Sequence, residues 1–539
     1  NTYSYYDLTD GRLNSINYHS GTTINFTYTE NKVTQKVNNK SYIKEFDAQG
    51  LLTRSENPLG AEVGYSYHSS GITNQITNSG GSINNTVNSS GFVTGSSDPL
   101  LGSSSYTYNA NGDITHSTDA KNNEFTYNYN DNLNRLTSIT NDNTNEAYGI
   151  NYVSSGNGKG KIEDKTYTDG SLSTSESYTY DSNGRVLTRT KTIGTKSFTL
   201  TYSYRDDGKL WKIDNSDDKT YEYVYNTKGF LTSLKYEGTT VWTLQSKDQT
   251  SLVEKLGSGI TLSTTYDVYG NPVSTKAGTL IDLTYNFNDA TGNLTGRTQV
   301  VNGVTLNESF NYDDLNRLTT NTSDGTDVDV SYDSNVKERI ASKSDAGDYS
   351  YDASKPYQLK EIYEATTTLT NSPNQSITYT SFHKVKTITE GDYVITFWYG
   401  PNKQRCKMEV KENGSELYTK YYFDNYELIE QNGTAVEKIY YLTSPTGIIG
   451  FNRVKTSPAE DAIFYTLKDY LGSILVVMNE TGTIKLEEFS FDAWGRRRNP
   501  SNWSYTGISS PVYCTRGYTS HEYIKEVNLI NMNGRVSSR

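Results

Sequence analysis

Two cysteines in 539 residues, Cys406 and Cys514, are too few for a disulfide framework. Five histidines, three methionines and ten prolines complete the short supply. None of the histidines stands in a metal-binding spacing such as His-Glu-x-x-His. No run of about 18 apolar residues is present, so no helical membrane span is expected. Hydrophobic residues make up 33% of the chain and the mean hydropathy is −0.72, low for a solid globular interior. A net charge of −12 argues against a nucleic-acid partner. Helix signals are nearly absent. What the chain has in excess is tyrosine: 47 against 15 Phe and 5 Trp. That many aromatics excludes disorder, and the hydroxyls fit poorly in a dry core. They suit sheet surfaces that are partly wet, around a cavity.

The stretch ESYTYDSNGRVLTRT, residues 176–190, shows how the tyrosines are used. Tyr178 and Tyr180 are two apart and share one face of a strand. Asp181 can accept a hydrogen bond from the backbone two residues on and so begins a turn. Gly184 supplies the positive φ that leaves the turn, and Arg185 opens the returning strand. The phrase predicts one β-hairpin. It recurs as YTYNANGDI (Tyr108, Gly112), YNYNDNLNRL (Tyr129, Arg135), YSYRDDGKL (Tyr204, Gly208), YVYNTKGFL (Tyr225, Gly229) and FNYDDLNRL (Tyr312, Arg317). Where Gly is missing, Asn134 and Asn316 take its place, and Asn also tolerates the left-handed region. Arg135, Arg185 and Arg317 follow the turns directly and are expected to stack on a tyrosine of the adjacent repeat.

Tyr108 and Tyr129 are 21 residues apart, Tyr180 and Tyr204 24, Tyr204 and Tyr225 21. A period of that length with hairpin chemistry predicts an all-β, one-dimensional stack of hairpins. At ~4.8 Å per strand the ribbon would be on the order of 230 Å long, some one and a half turns at a diameter of about 50 Å. The expected object is a short barrel or cup. The apolar-poor stretch Gly64 to Ser97 reads as weakly packed strands or a loop, and Ser354 to Gln375 as an irregular insertion. Near Asp392 the texture shifts towards charge and Ile, Leu and Val, which sets the expected domains at 1–391 and 392–539. The chain opens at Asn1 inside a copy of the phrase and is expected to be a piece of a longer one.

The repeated phrase resembles the YD repeat, also called the Rhs repeat, over most of the chain. DYLGSILVVMNETGTIKLEEFSFDAWGRRRNP (469–500) and RGYTSHEYIKEVNLINMNGRV (516–536) resemble the Rhs-repeat-associated core, and FWYGPNKQR (397–405) and YYFDNYEL (421–428) resemble elements upstream of it. The matching core residues are Asp469, Gly472, Ser473, Asp492, Trp494, Gly495, Arg496, His521, Glu522, Asn531, Asn533, Gly534 and Arg535. The resemblance implies a spiralling hollow β-shell, here a partial one, closed or capped by residues 392–539. It implies a secreted or cell-surface bacterial protein of the polymorphic-toxin type that encloses a cargo, typically a C-terminal toxin, with further shell or secretion-system components as partners. Ser520 and Asn528 stand where the family usually has Gly. After Val536 the chain reads Ser537, Ser538, Arg539, without the family's self-cleavage motif or toxin.

Other candidate chemistry is sparse. DPLLG at Asp98 to Gly102 reads as an inter-strand turn. His19, His68 and His116 sit near repeat turns at the surface, His383 belongs to no constellation, and His521 can hydrogen-bond inside the core. The acidic runs Asp214 to Asp218 and Asp324 to Asp329 are fragments of calcium-loop patterns and read as solvated turns. Arg496 to Arg498 is the one basic cluster, a charged turn or an anchor for interior carboxylates. No catalytic, metal or cofactor site is expected. The alternative reading is an adhesion or carbohydrate-binding surface protein, whose open Tyr-, Asn- and Asp-rich sheets would take glycans.

Overall fold

Residues 176–190 fold as one hairpin, and its turn contains every contact the sequence calls for. Ser173–Tyr180 pairs antiparallel with Val186–Ile193. The Gly184 N–H donates to Asp181 O at 2.9 Å, and the Asp181 N–H to Arg185 O at 2.9 Å. Asp181 Oδ1 accepts from the Asn183 N–H at 2.9 Å and the Arg185 N–H at 2.8 Å. Gly184 has φ +74°, and the substitutes Asn134 and Asn316 have φ +53° and +61°. The register slips by one residue between Thr179 and Tyr180, and again just before Tyr108, Tyr204, Tyr225 and Tyr312. Each of these five YD turns therefore carries a bulge, which bends its strand and adds right-handed twist.

Successive hairpins are tied together by the second tyrosine of each phrase. The hydroxyl of Tyr180 donates to Ile162 O at 2.6 Å, Tyr204 to Val186 O at 2.7 Å, Tyr225 to Leu210 O at 2.7 Å. Tyr108 reaches Val93 O at 2.6 Å and Tyr312 reaches Leu294 O at 2.8 Å. Over the same rings lie the cations of the preceding turns: Arg135 over Tyr152 at 3.6 Å, Arg185 over Tyr204 at 4.4 Å, Arg317 over Tyr332 at 3.7 Å. Phe92 occupies the same slot over Tyr108, with ring centroids 5.0 Å apart. Tyrosine thus satisfies its hydroxyl and its ring at once, which accounts for its excess over Phe. Replacing Tyr204 with Phe leaves Val186 O without its donor. A loss of about 0.5–1.5 kcal/mol is expected, seen as faster amide exchange in the strands Val186–Ile193 and Lys196–Tyr204.

The computed structural model describes residues 2–5, 11–18, 21–301, 303–323, 325–363, 375–532 and 536–537. Strands dominate, and one 3-10 turn, Tyr518–Ser520, is the single helical element among them. Contacts divide the chain into two units, one of Asn1–Phe125, Tyr285–Arg297 and Asn307–Asn371, the other of Thr126–Thr284, Thr298–Leu306 and Ser372–Arg539. In the first unit the described residues of 2–125 form an antiparallel meander without a fully buried hydrophobic side chain. Gly64 to Ser97 belongs to it as ordinary half-buried strands. Asp98 to Gly102 is a turn, with Asp98 Oδ1 accepting from the Leu100 N–H at 2.7 Å. In the expected insertion Leu359–Tyr363 is a strand, and 364–374 lie outside the described residues, as do His19, Asp324 and part of the first copy of the phrase.

Within each unit a later stretch of hairpins lies against an earlier one at a similar interval. In the first unit Lys40 bonds to Asp314 O 274 residues on, Ser79 to Glu338 259 on and Lys337 to Leu59 O across 278. In the second unit the intervals are 237 for Lys165 to Asn402, 235 for Arg189 to Asp424, 234 for Lys196 to Glu430 and 216 for Tyr236 to Asn452. The intervals are shorter than the roughly 360 residues that one turn at a diameter of about 50 Å would take. The bulges at the YD turns supply the extra curvature that the estimate from strand spacing alone left out.

The second unit also holds an eleven-stranded antiparallel sheet running from Ser376–Tyr379 to Lys485–Glu488. Alternation puts Tyr426, Glu430 and Tyr440 on one face, where they meet the earlier hairpins. Phe198 stacks on Tyr426 at 4.3 Å, Tyr426 on Tyr440 at 4.8 Å, and Lys196 reaches Glu430 at 2.6 Å. Lys420, Glu427 and Tyr441 point to the other face, which the segment following the sheet covers. A sheet covered on both faces explains why Ile474–Met478 is buried at every position.

Candidate functional site

Three motif segments that are separate in sequence converge on the covered face of this sheet. In 469–473 Asp469 Oδ1 accepts from the Ser473 N–H at 2.7 Å, and Gly472 leaves the turn at φ +84°. Ser473 is fully buried, and its Oγ accepts from the Thr519 N–H at 3.2 Å. Ser520 Oγ donates to Gly472 O at 2.7 Å, and the Ile474 N–H to Gly517 O at 3.0 Å. In 492–496 Asp492 Oδ1 accepts from the backbone of Trp494 and Arg496 at 2.9 Å each, and its Oδ2 from Tyr505 Oη at 2.9 Å. A Cβ on Gly495 would lie 2.6 Å from the Tyr518 ring, so the absence of a side chain there lets the second and third segments touch. Trp494 is half-buried beside it.

Under these turns lies a closed charge network. Lys420 Nζ sits 2.5 Å from Glu522 Oε1 and 3.4 Å from Glu427 Oε2, and Arg516 Nη2 lies 2.5 Å from Glu427 Oε1. Tyr422 Oη donates to Glu522 Oε2 at 2.8 Å and Asn531 Nδ2 to the same oxygen at 3.1 Å. Lys420, Glu427 and Glu522 are at most 5% exposed. Burial works against the Glu522 carboxylate, but the charges of Lys420 and Arg516, with hydrogen bonds from Lys420 and Tyr422, outweigh it and hold its pKa at about 2. Burial likewise opposes the Lys420 ammonium, and the two glutamates raise its pKa well above the ordinary lysine value. Two acids and two bases balance. The arrangement has the chemistry of a fastening: Glu522, Arg516 and Asn531 belong to the C-terminal segment, Lys420, Tyr422 and Glu427 to the sheet.

Arg516, Lys420 and Glu427 escaped sequence reasoning. The available signal was a Lys and a Glu at inward positions of otherwise aromatic and aliphatic strands. His521 pairs its Nδ1 with Thr519 Oγ1 at 2.6 Å, and burial lowers its pKa, with Arg516 adding to the effect. The arginine cluster is stacked on aromatics: Arg496 over Tyr505 at 3.8 Å, Arg498 over Trp503 at 3.9 Å, Arg497 over Tyr523 at 5.2 Å. Asn533, Gly534 and Arg535 lie outside the described residues. Ser520 and Asn528 have φ +59° and +56°, the region that favours the glycine they replace. Of the repeat residues, Tyr178 stands opposite Arg189 beside the buried Glu176, and burial pushes its pKa up to about 12. Tyr129 lies just past the strand Glu124–Asn128, half-buried. Gly112, Gly208 and Gly229 all have positive φ. Asp217 accepts from Lys438 Nζ at 3.0 Å and Tyr440 Oη at 2.5 Å, which accounts for part of the acidic run there. No group of three or more His, Cys, Asp or Glu side chains among the described residues could hold a metal ion. Cys406 and Cys514 are buried free thiols.

Residues 108–146, which contain the hairpin turns at Gly112 and Asn134, match the family model described as RHS Repeat. This stretch is an Rhs repeat. Compared by sequence with curated proteins, the chain matches none. Among solved structures, the chain is similar over 99% of its length to a chain in the crystal structure of TcdB2-TccC3-Cdc42, at 13% identity and a TM-score of 0.70. It is similar over 98% of its length, at 12% identity and a TM-score of 0.59, to a chain in the Tc holotoxin pore of Photorhabdus luminescens. It spans only 32% and 31% of those two chains. At such identities the likeness is one of fold: antiparallel hairpins stacked side by side.

Proposed function

We propose that this chain is a wall segment of a hollow Rhs shell that encloses a polypeptide cargo, with residues after the eleven-stranded sheet fastened onto the wall as its cap. The observation that carries the reading is the recurrence of bonds between hairpins 192–237 residues apart in the second unit. A hairpin ribbon that repeatedly meets itself at a similar interval is a wound wall, and half-buried tyrosines are what a thin wall with two wet sides requires. Likeness in fold to TcdB2-TccC3 supports the same reading. The wall's role is confinement, with the contents held away from protease and substrate until the shell opens. It performs no reaction, and on this reading the protein acts outside the cell that makes it. Among the described residues no helix is long and apolar enough to cross a membrane.

The test uses the intact reading frame with an unstructured, trypsin-sensitive reporter placed after Arg539. Protection of the reporter in the native protein, lost when urea opens the wall, is the expected result. Digestion at the rate of the free reporter would refute confinement.

A further inference from the structure

One hairpin breaks the repeat in a way that the wall does not explain. Opposite the second tyrosine of the phrase the returning strand begins with an uncharged residue, mostly an aliphatic one: Ile114 faces Tyr108, Val186 faces Tyr180, Leu210 faces Tyr204, Leu231 faces Tyr225, Leu318 faces Tyr312 and Val385 faces Tyr379, while Thr73 faces Tyr67 and Pro272 faces Tyr266. Opposite Tyr399 stands Arg405. It is 8% exposed, and its guanidinium lies 3.7 Å over the Phe397 ring. Its Nε and Nη1 are buried without a hydrogen-bond partner among the described residues. Tyr399, whose hydroxyl donates to Val385 O at 2.6 Å, is the side chain that Arg405 approaches as a donor.

The surroundings make the charge harder to hold. Lys384 Nζ donates to Lys403 O and sits 5.7 Å from the Tyr399 ring, and Lys403 Nζ lies 5.3 Å over Phe382. The Lys384 pKa is lowered by burial and then by two cations, Arg405 and Lys403. The carboxylates on this face of the sheet, Glu427 and Glu522, are already balanced by Lys420 and Arg516. A guanidinium cannot shed its proton to escape, and a buried charge without a counter-charge is among the most unfavourable arrangements a fold can contain.

We propose that Arg405 seats a small monovalent anion, chloride or the carboxylate of a small organic acid, accepting hydrogen bonds from Nε and Nη1. The site stands on the departure from the repeat, the two unpartnered donors and the local surplus of three cations. It is independent of whether the wall encloses anything.

The test is thermal unfolding of the full chain at fixed ionic strength, made up with a bulky sulfonate, while chloride or formate is titrated in. Above its dissociation constant each tenfold rise in a bound anion adds a constant increment to Tm. Arg405→Leu, which places there the aliphatic residue that most of the other hairpins carry and so keeps the fold, is expected to abolish that dependence. Dependence on chloride alone assigns a halide, and dependence on formate assigns a carboxylate. A bromide-soaked crystal gives a second readout on the unaltered protein, an anomalous peak at hydrogen-bonding distance from Arg405. A Tm indifferent to both anions with no bromide peak, or an anion dependence that Arg405→Leu retains, overturns the proposal.

Discussion

Replacing Lys420 with Met unfastens the C-terminal segment from the eleven-stranded sheet. The substitution leaves Glu427 and Glu522 buried near one another, with Arg516 as the remaining cation. Breaking a buried ion pair from one side typically destabilises by about 3–5 kcal/mol, since the charge left behind has lost its compensation. The expected result is rapid tryptic cleavage at Arg516 and Lys525, with amide exchange rising in Glu522–Ile524 and Leu529–Asn531 while the earlier hairpins stay protected. Adding Glu522→Gln restores most of the protection, because the orphaned charge is then gone. Unchanged cleavage in the single variant would show that the network fastens nothing.

The pH dependence has opposite signs in the two proteins. In the native chain the Glu522 pKa is lowered to about 2 from an ordinary 4.5. Its contribution is therefore complete above about pH 4.5 and is lost as pH falls towards 2. The fastening should hold unchanged between pH 5 and 8. In the Lys420→Met variant mild acid restores stability, since protonation removes the uncompensated charge.

Gly259→Val, in the turn between the strands Ser251–Leu256 and Ile260–Tyr266, pushes apart two layers of hairpins. A Cβ at Gly259 would lie 2.1 Å from Thr481 O and 3.5 Å from Gly482 Cα, both backbone atoms that cannot step aside as a flexible side chain can. Gly482 is packed in turn, its Cβ position 2.6 Å from Ile260 Cγ1, and Ile260 is 2% exposed. Overpacking of this kind destabilises by about 1–3 kcal/mol, and a rigid obstacle places the effect at the upper end. The expected signature is a lower Tm with faster exchange in both Ile260–Tyr266 and Ile474–Met478. Gly95→Ala is the contrast: its methyl meets nothing closer than 3.6 Å, and an effect within about 0.5 kcal/mol is expected. Equal effects of the two substitutions would remove the case for close-packed layers.

Legibility in the sequence follows the range of the interaction. The turn at Asp181 to Arg185 could be read because each of its bonds closes within four residues. The arginine stacks could be read because a short period brings each turn cation beside the next tyrosine. Lys420 and Glu427 were marked only by a charge at an inward position, and the partners that complete the network, Glu522 and Arg516, lie 102 and 89 residues away. The interval between layers was misjudged for a related reason: it integrates a small bend at every bulge, and strand spacing carries no information on bending. Ser520 and Asn528 lie between these cases. They stand where the resemblance leads to glycine, and both have a positive φ, the backbone region that glycine favours.

The recurring interval also constrains how such a chain can evolve. Duplicating or deleting one hairpin between Lys196 and Asn402 would shift these contacts by a whole hairpin, so that Lys165 would no longer find Asn402, Arg189 find Asp424, nor Lys196 find Glu430. Copy number in this part of the chain is therefore not free to drift one hairpin at a time, in contrast to open solenoids, where each module answers only to its neighbours. Gains and losses should instead be found at the free ends of the winding, or as compensated pairs one circuit apart.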